Sequence, residues 1–261
     1  MNLRKNKPDT DTAAANLPAI TVHDVHLSYR SIAPVSKRKS LPQQNQKKKG
    51  RVEHFEALHG VSLTIGQGEI IGLVGRNGSG KSTLLRVLAG IFEPDKGFVD
   101  LHGHTVSLLA LGVGFQTQLS GRENIYLSGL LLGFTKQEID AQIDEIISFS
   151  ELDKFIEKPV RTYSSGMQSK LGFSITAILK TDIILVDEVL SVGDSHFKKK
   201  SFAKMKELIS EKTRTVVIVS HNPSTIRTTC EKVVWLHDGD IKMIGEAATV
   251  VDLYEEFMSQ Y

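Results

Sequence analysis

Gly75-Arg-Asn-Gly-Ser-Gly-Lys-Ser-Thr83 follows the apolar run Glu69-Ile-Ile-Gly-Leu-Val74 and opens a helix-like stretch from Leu84 to Ala89. The pattern G-x-x-x-x-G-K-[ST] therefore lies between a buried strand and a helix start, which is where its chemistry has to be. The glycines let consecutive backbone N–H groups turn inward around phosphate oxygens, and the positive end of the following helix adds to the same anion site. Gly75, Asn77, Gly78, Ser79 and Gly80 form the loop. Lys81 brings a point charge to the β- and γ-phosphates, Ser82 a hydroxyl suited to Mg²⁺, and Thr83 steadies the turn. The complete motif in this strand-to-helix setting predicts nucleoside triphosphate binding and weighs against a merely structural Gly-rich turn.

The 261 residues suit one α/β domain that buries about three quarters of its unfolded surface. Lys+Arg 32 against Asp+Glu 30 is too balanced for a chain whose main partner is nucleic acid. The single cysteine, Cys230, excludes an intrachain disulfide and any cysteine-rich metal site, and reads as a buried thiol in a reducing compartment. No segment approaches the ~18 apolar residues of a membrane span, and the polar start does not read as a secretory leader.

Residues 1–18 are polar and aperiodic and are expected to be disordered. Ala19 to Tyr29 alternates as a strand, and the next strand is read at Val61-Ser-Leu-Thr-Ile65. Between them, 31–51 carries Lys37, Arg38, Lys39, Lys47, Lys48, Lys49 and Arg51 with no acid from Ser31 to Arg51, an exposed basic insertion that could meet anionic lipid headgroups. A helical region covers about 115–178. Within it Thr135-Lys-Gln-Glu138 is a capping box, and Ile139, Ile143, Ile146 and Ile147 share one helix face. Two continuous apolar strands, Ile183–Val186 and Val216–Val219, are of the kind covered by helices on both sides. Val233 to Leu236, the Asp238-Gly239 turn and Ile241 to Ile244 predict a hairpin. A last amphipathic helix presents Val250, Leu253, Tyr254, Phe257 and Met258. His102 and His104 flank Gly103 as surface residues.

Asp187 and Glu188 close the apolar strand Ile183–Val186, at the strand end where α/β sheets hold ligands. Asp187 is assigned to magnesium, and Glu188 to accepting a proton from the attacking water.

Tyr163-Ser-Ser-Gly-Met167 lies between the helical region and that strand. With these pieces in this order, about residues 20–245 resemble the ATP-binding subunits of ABC transporters, whose signature is usually Leu-Ser-Gly-Gly-Gln. The resemblance implies an α/β P-loop ATPase with a mixed sheet core, an antiparallel β part and an inserted helical subdomain. It places Ser164, Ser165 and Gly166 on nucleotide, Ser191-Val-Gly-Asp194 as the D-loop with Asp194 near nucleotide, His221 at the γ-phosphate, and Gln116 as the Q-loop glutamine near Mg²⁺ and the reaction. An aromatic ring, Tyr29 or its rival Phe55, would stack on adenine.

The departures at Tyr163, Ser165 and Met167, with the compressed Leu111-Gly-Val-Gly-Phe-Gln116 and Leu119-Ser-Gly-Arg-Glu-Asn-Ile125, look like the branch that exports bacterial cell-surface polysaccharides: O-antigen, capsule, galactan or teichoic acid. By that resemblance two copies pair head to tail around ATP and drive integral membrane permease subunits from the cytoplasmic face, with Tyr126, Leu127, Leu130, Leu131 and Leu132 toward the partner. No glycan-reading module is expected after Tyr261, and recognition is expected to fall to the membrane partner. A soluble ABC ATPase acting on ribosomes or nucleic acid is the alternative, and a P-loop small-molecule kinase a third reading. The first of these usually has two cassettes or a long coiled coil, and the second leaves Tyr163 to Met167 and His221 unexplained.

Overall fold

A computed structural model describes residues 17–32, 52–109, 114–187, 193–210, 213–220 and 222–260. The basic segment Lys37 to Arg51, Glu188, Ser191 and His221 lie outside the described residues.

Two sheets share the core. The smaller is antiparallel, in the order β2-β1-β4, with β1 Pro18–Ile32, β2 Val52–Gly66 and β4 Lys96–Asp100. β2 starts nine residues before the strand expected at Val61, because it pairs with β1 along its whole length from Pro18↔Gly66 to Ile32↔Val52. Tertiary pairing thus recruits His54 to Gly60, a stretch with little strand signal of its own. The same pairing starts β1 at Pro18 and carries it through Ser31 and Ile32, which the sequence pattern assigns to the basic insertion.

The larger sheet runs β5-β6-β7-β3-β8-β9, with β3 Ile70–Val74, β5 Val106–Leu109, β6 Ile183–Val186, β7 Thr215–Val219, β8 Lys232–His237 and β9 Asp240–Glu246. All neighbours are parallel except the β8–β9 hairpin. β3, β6 and β7 are buried at every position, the consequence of cover on both faces. One cluster packs β1, β2 and helix α1 (Lys81–Leu88) on one face through Ile20, Leu58, Leu85 and Val217. Another packs α5 (Ser165–Ile178), α6 (Ser195–Ser210), α7 (Pro223–Thr229) and α8 (Ala247–Ser259) on the other, through Phe173, Phe197, Ile226 and Val250. Cys230 is buried there, and desolvation pushes its thiol up to about 12, so it is inert.

The helical subdomain holds α2 (Gly121–Leu131), α3 (Lys136–Asp140), α4 (Ile143–Ser150), a 3-10 turn at Val160–Thr162 and α5. Both α2 and α3 start with complete capping boxes, Ser120/Glu123 and Thr135/Glu138. The four isoleucines are all buried, but they do not share one helix: the chain breaks at Ala141-Gln142. Ile139 fills the space above Gly129 on α2, whereas Ile146 and Ile147 pack in the α4–α5 cluster, and two partners on different axes force the turn. In α8, Leu253 is exposed and Val251 is buried in its place, since the helix inserts one narrow face against Trp235.

Candidate functional site

The β3–α1 loop is closed from three sides. At Gly75, φ is 154°, and a Cβ would sit 2.2 Å from the Leu236 carbonyl oxygen and 2.5 Å from Ser79 Oγ. A Cβ on Gly80 would meet the Ala57 carbonyl oxygen at 2.7 Å. The loop glycines therefore let β2 and β8 approach the backbone itself. Lys81 is only 6% exposed, and its Nζ donates to the carbonyls of Gly75 (2.7 Å) and Arg76 (2.8 Å). A buried ammonium at the start of α1, held on two loop carbonyls, fits an anionic occupant. Beside it opens a cavity of about 290 Å³, lined by Asn77, Gly78, Gly80, Ser82 and both aromatic candidates, Tyr29 and Phe55.

The two rings differ in their surroundings. Tyr29 is half-buried, edge-on to Phe92, with its hydroxyl 3.1 Å from Thr83 Oγ1. Phe55 is 58% exposed at the cavity rim. Thr83 is thus tied to β1 through Tyr29, beyond any effect on the turn.

Ser82 Oγ donates to Asp187 Oδ1 at 3.4 Å. A hydroxyl and a carboxylate converging beside an anion site are the hard oxygen donors that Mg²⁺ takes together with substrate phosphates and water. Gln116 lies on an exposed segment, its backbone fixed by Asn124: the Gln116 N–H donates to Asn124 Oδ1 (2.8 Å) and Asn124 Nδ2 donates back to the Gln116 carbonyl (3.1 Å).

The loop is also braced by the β8–β9 turn. Asp238 and Gly239 both have positive φ, as a two-residue hairpin needs. Gly239 N–H donates to the Ser79 carbonyl (3.2 Å), and the Gly239 carbonyl accepts from His59 N–H (3.0 Å). The His59 ring sits between two acceptors, Asp240 Oδ2 at Nδ1 and the Glu56 carbonyl at Nε2, each 3.2 Å away, and only the imidazolium satisfies both. The Asp240 hydrogen bond raises the His59 pKa above its ordinary 6.5 despite some loss to desolvation. A raised folded-state pKa stabilises fully below about pH 6.5 and fades as pH climbs through the folded value. Wild type should melt above His59→Asn at pH 6, with the gap closing by pH 9; a gap independent of pH in scanning calorimetry would contradict the bridge.

Tyr163 is buried, and its hydroxyl donates to the Phe155 carbonyl at 2.7 Å. Ser164 caps α5 by accepting from Met167 N–H at 3.2 Å, leaving Ser165 and Gly166 at an outward helix N-terminus. A Cβ on Gly121 would lie 2.3 Å from the Tyr163 oxygen. Gly121→Ala is expected to cost about 1–3 kcal/mol from overpacking. Adding Tyr163→Phe should recover part of it in urea melts, and strict additivity would count against the clash. Asp194 caps α6 by accepting from the His196 and Phe197 N–H groups through Oδ1, both at 3.0 Å, while Oδ2 pairs with Lys170 at 2.8 Å. His102 and His104 hydrogen-bond Thr21 and Gln67 on the surface, away from the loop.

Residues 58–191, from β2 past Asp187, match the ABC transporter family model. The chain belongs to the ABC transporter family. The cassette is 44% identical over 211 residues to an O-antigen export system ATP-binding protein, RfbB of Klebsiella pneumoniae, covering 81% of this chain and 85% of the relative. It is 45% identical to RfbB of Myxococcus xanthus, over 78% of this chain and 46% of that protein. With the teichoic acids export ATP-binding protein TagH of Bacillus anthracis it shares 46% identity, over 80% of this chain and 38% of that protein. The cassette thus spans less than half the length of the last two. The dimeric post-hydrolysis structure of the ATP-binding cassette MJ0796 bound to ADP and Pi superposes with TM-score 0.64 at 21% identity, covering 87% of this chain and 98% of that one. That likeness shows the fold.

Proposed function

We propose that the chain is the ATP-hydrolysing subunit of an exporter of lipid-linked cell-surface polysaccharide, working at the cytoplasmic face of the membrane as a head-to-tail dimer. The observation that carries the enzymatic part is the buried Lys81 beside the Ser82–Asp187 pair at the mouth of the cavity. The relatives' names carry the substrate class, since proteins of 44–46% identity are named for O-antigen and teichoic acid export.

In this reading Asn77 to Thr83 cradle the phosphates, and Phe55 or Tyr29 takes the base. Mg²⁺, held through Ser82 and Asp187 with Gln116 at its edge, would neutralise charge on the β- and γ-phosphates. Glu188 takes the proton of the attacking water, and His221 holds the γ-phosphate. Ser164 to Gly166 of each copy close over the nucleotide of the other, presenting the N-terminus of α5 to its negative charge.

The face toward the membrane subunit is the mouth between α2 and the main sheet, a cavity of about 230 Å³ lined by Leu131, Leu132, Phe115, Ile91, Leu108 and Ile175. Leu131 is 74% exposed at its rim. Leu131→Glu should leave ATP hydrolysis within about twofold while weakening co-purification with the membrane subunit by on the order of 2 kcal/mol. Among the described residues no helix is long and apolar enough to cross a membrane. A strain lacking the gene should accumulate lipid-linked polymer inside the cell, cleared by the wild-type gene and not by Lys81→Ala. Normal surface polymer in the deletion strain would overturn the export reading.

A further inference from the structure

Lys170 lies nearly two turns into α5 from the Ser164 cap, with a side chain only 14% exposed. Its Nζ is held by two carboxylates from two other elements: Glu151 Oε2 at 2.9 Å, at the end of α4, and Asp194 Oδ2 at 2.8 Å, at the start of α6. Its ammonium lies 5.0 Å from the centre of the buried Phe197 ring. Gly193 makes room, since a Cβ there would meet Lys170 Cε at 3.0 Å. Glu151 is itself shared, its Oε1 facing Lys200 Nζ and His196 Nδ1 at 3.3 Å each.

A methionine would cover Phe197 as well as the lysine stem does, and an ion pair whose Asp194 side chain is 60% exposed is a poor source of net stability. What the charge adds is registry. Burial alone would push the Lys170 ammonium down, but the Asp194 and Glu151 hydrogen bonds more than reverse it, and Lys170 in turn holds the Asp194 carboxyl well below the usual range. The bond to Asp194 joins the helix that starts with Ser164 to the segment that follows Asp187, two parts of the chain that would serve different nucleotides in a head-to-tail pair.

We propose that Lys170 is a positioning residue, a strut that keeps the Ser164–Gly166 helix end in register with Gly193–Asp194 so that both half-sites offered by one chain fit a partner at once. This rests on the composite-site reading above. Losing the strut leaves each phosphate loop intact and spoils closure, so its signature is normal nucleotide binding by the monomer with weakened ATP-driven pairing.

The test uses Glu188→Gln as the parent and follows ATP-dependent dimer formation by analytical ultracentrifugation, with binding of a fluorescent ATP analogue to the monomer in parallel. Adding Lys170→Met should raise the ATP concentration for half-maximal dimer at least about tenfold while monomer affinity stays within about twofold, and Lys170→Arg should restore the parent's midpoint within about threefold. Lys170→Gln also removes the charge and keeps a polar end at the same position, so it should reproduce the defect even if Lys170→Met folds poorly. A parent that stays monomeric overturns the composite site and this inference with it. A parent that pairs, with unchanged midpoints in Lys170→Met or Lys170→Gln, overturns the strut alone.

Discussion

Glu188→Gln should reduce ATP turnover by roughly 10²–10⁴-fold, the range a general base contributes, while nucleotide binding survives. The amide keeps the shape of the carboxylate and cannot take the proton of the attacking water. ATP then persists between two copies, and the dimer should accumulate on size-exclusion chromatography with ATP and not with ADP. Lys81→Ala fails differently. It removes the ammonium now seated on the Gly75 and Arg76 carbonyls, and charged hydrogen bonds at about 1.5–3 kcal/mol each imply at least ~100-fold weaker binding, with no dimer at any practical ATP level. A monomeric Glu188→Gln protein hydrolysing ATP at the wild-type rate would remove Glu188 from the base role.

Gly75→Ala should be nearly as damaging, for a steric reason. The added methyl would lie 2.2 Å from the Leu236 carbonyl at a φ of 154°, so either β8 or the loop must move. Backbone strain with a main-chain clash is expected to cost more than about 2 kcal/mol of stability, and the displaced loop to lose its phosphate contacts. Trp235, the single tryptophan, pairs with Val74 directly before the loop and is a built-in reporter. Its fluorescence should respond to ATP in the wild type and stay flat in Gly75→Ala; an unchanged response would mean that the loop tolerates the methyl.

Much of this was legible in the residues because it is local. The phosphate loop, the apolar strands at Ile183 and Val216, the Thr135 capping box and the Asp238-Gly239 turn each carry their geometry within a few positions, and the structure has all of them. What the sequence concealed depends on distant partners. Nothing near Ile143 announces that Ile139 belongs to Gly129 and the rest to α5, so one helix was expected where there are two. Leu253 fits the apolar stripe of α8, but the aromatic pairing of Trp235 with Tyr254 and Phe257 sets the helix rotation and leaves it outside. Lys170 reads as an ordinary helix cation until Glu151 and Asp194 are brought beside it. His59, far from Asp240 in sequence, braces the loop through the Asp238-Gly239 turn, which Asp240 adjoins and His59 does not. Tyr163 shows the reverse case: a departure from the usual signature becomes intelligible once its hydroxyl is seen on Phe155 and its neighbour Gly121 is seen to lack the side chain that would collide with it.

In the proposed composite site, one ATP takes its phosphate loop from one copy and its Ser164–Gly166 helix end from another. A Cβ on Gly166 would meet only Ser164 Oγ, at an ordinary contact distance of 3.8 Å, so Gly166→Glu should fold and yet present a carboxylate to the partner's nucleotide. Lys81→Ala and Gly166→Glu proteins should each be inactive alone. Mixed in equal amounts, half of the pairs are heterodimers, each with one fully wild-type site, so ATP hydrolysis should return to at most roughly a quarter of the wild-type rate. A mixture no more active than its two components measured separately would contradict the shared site.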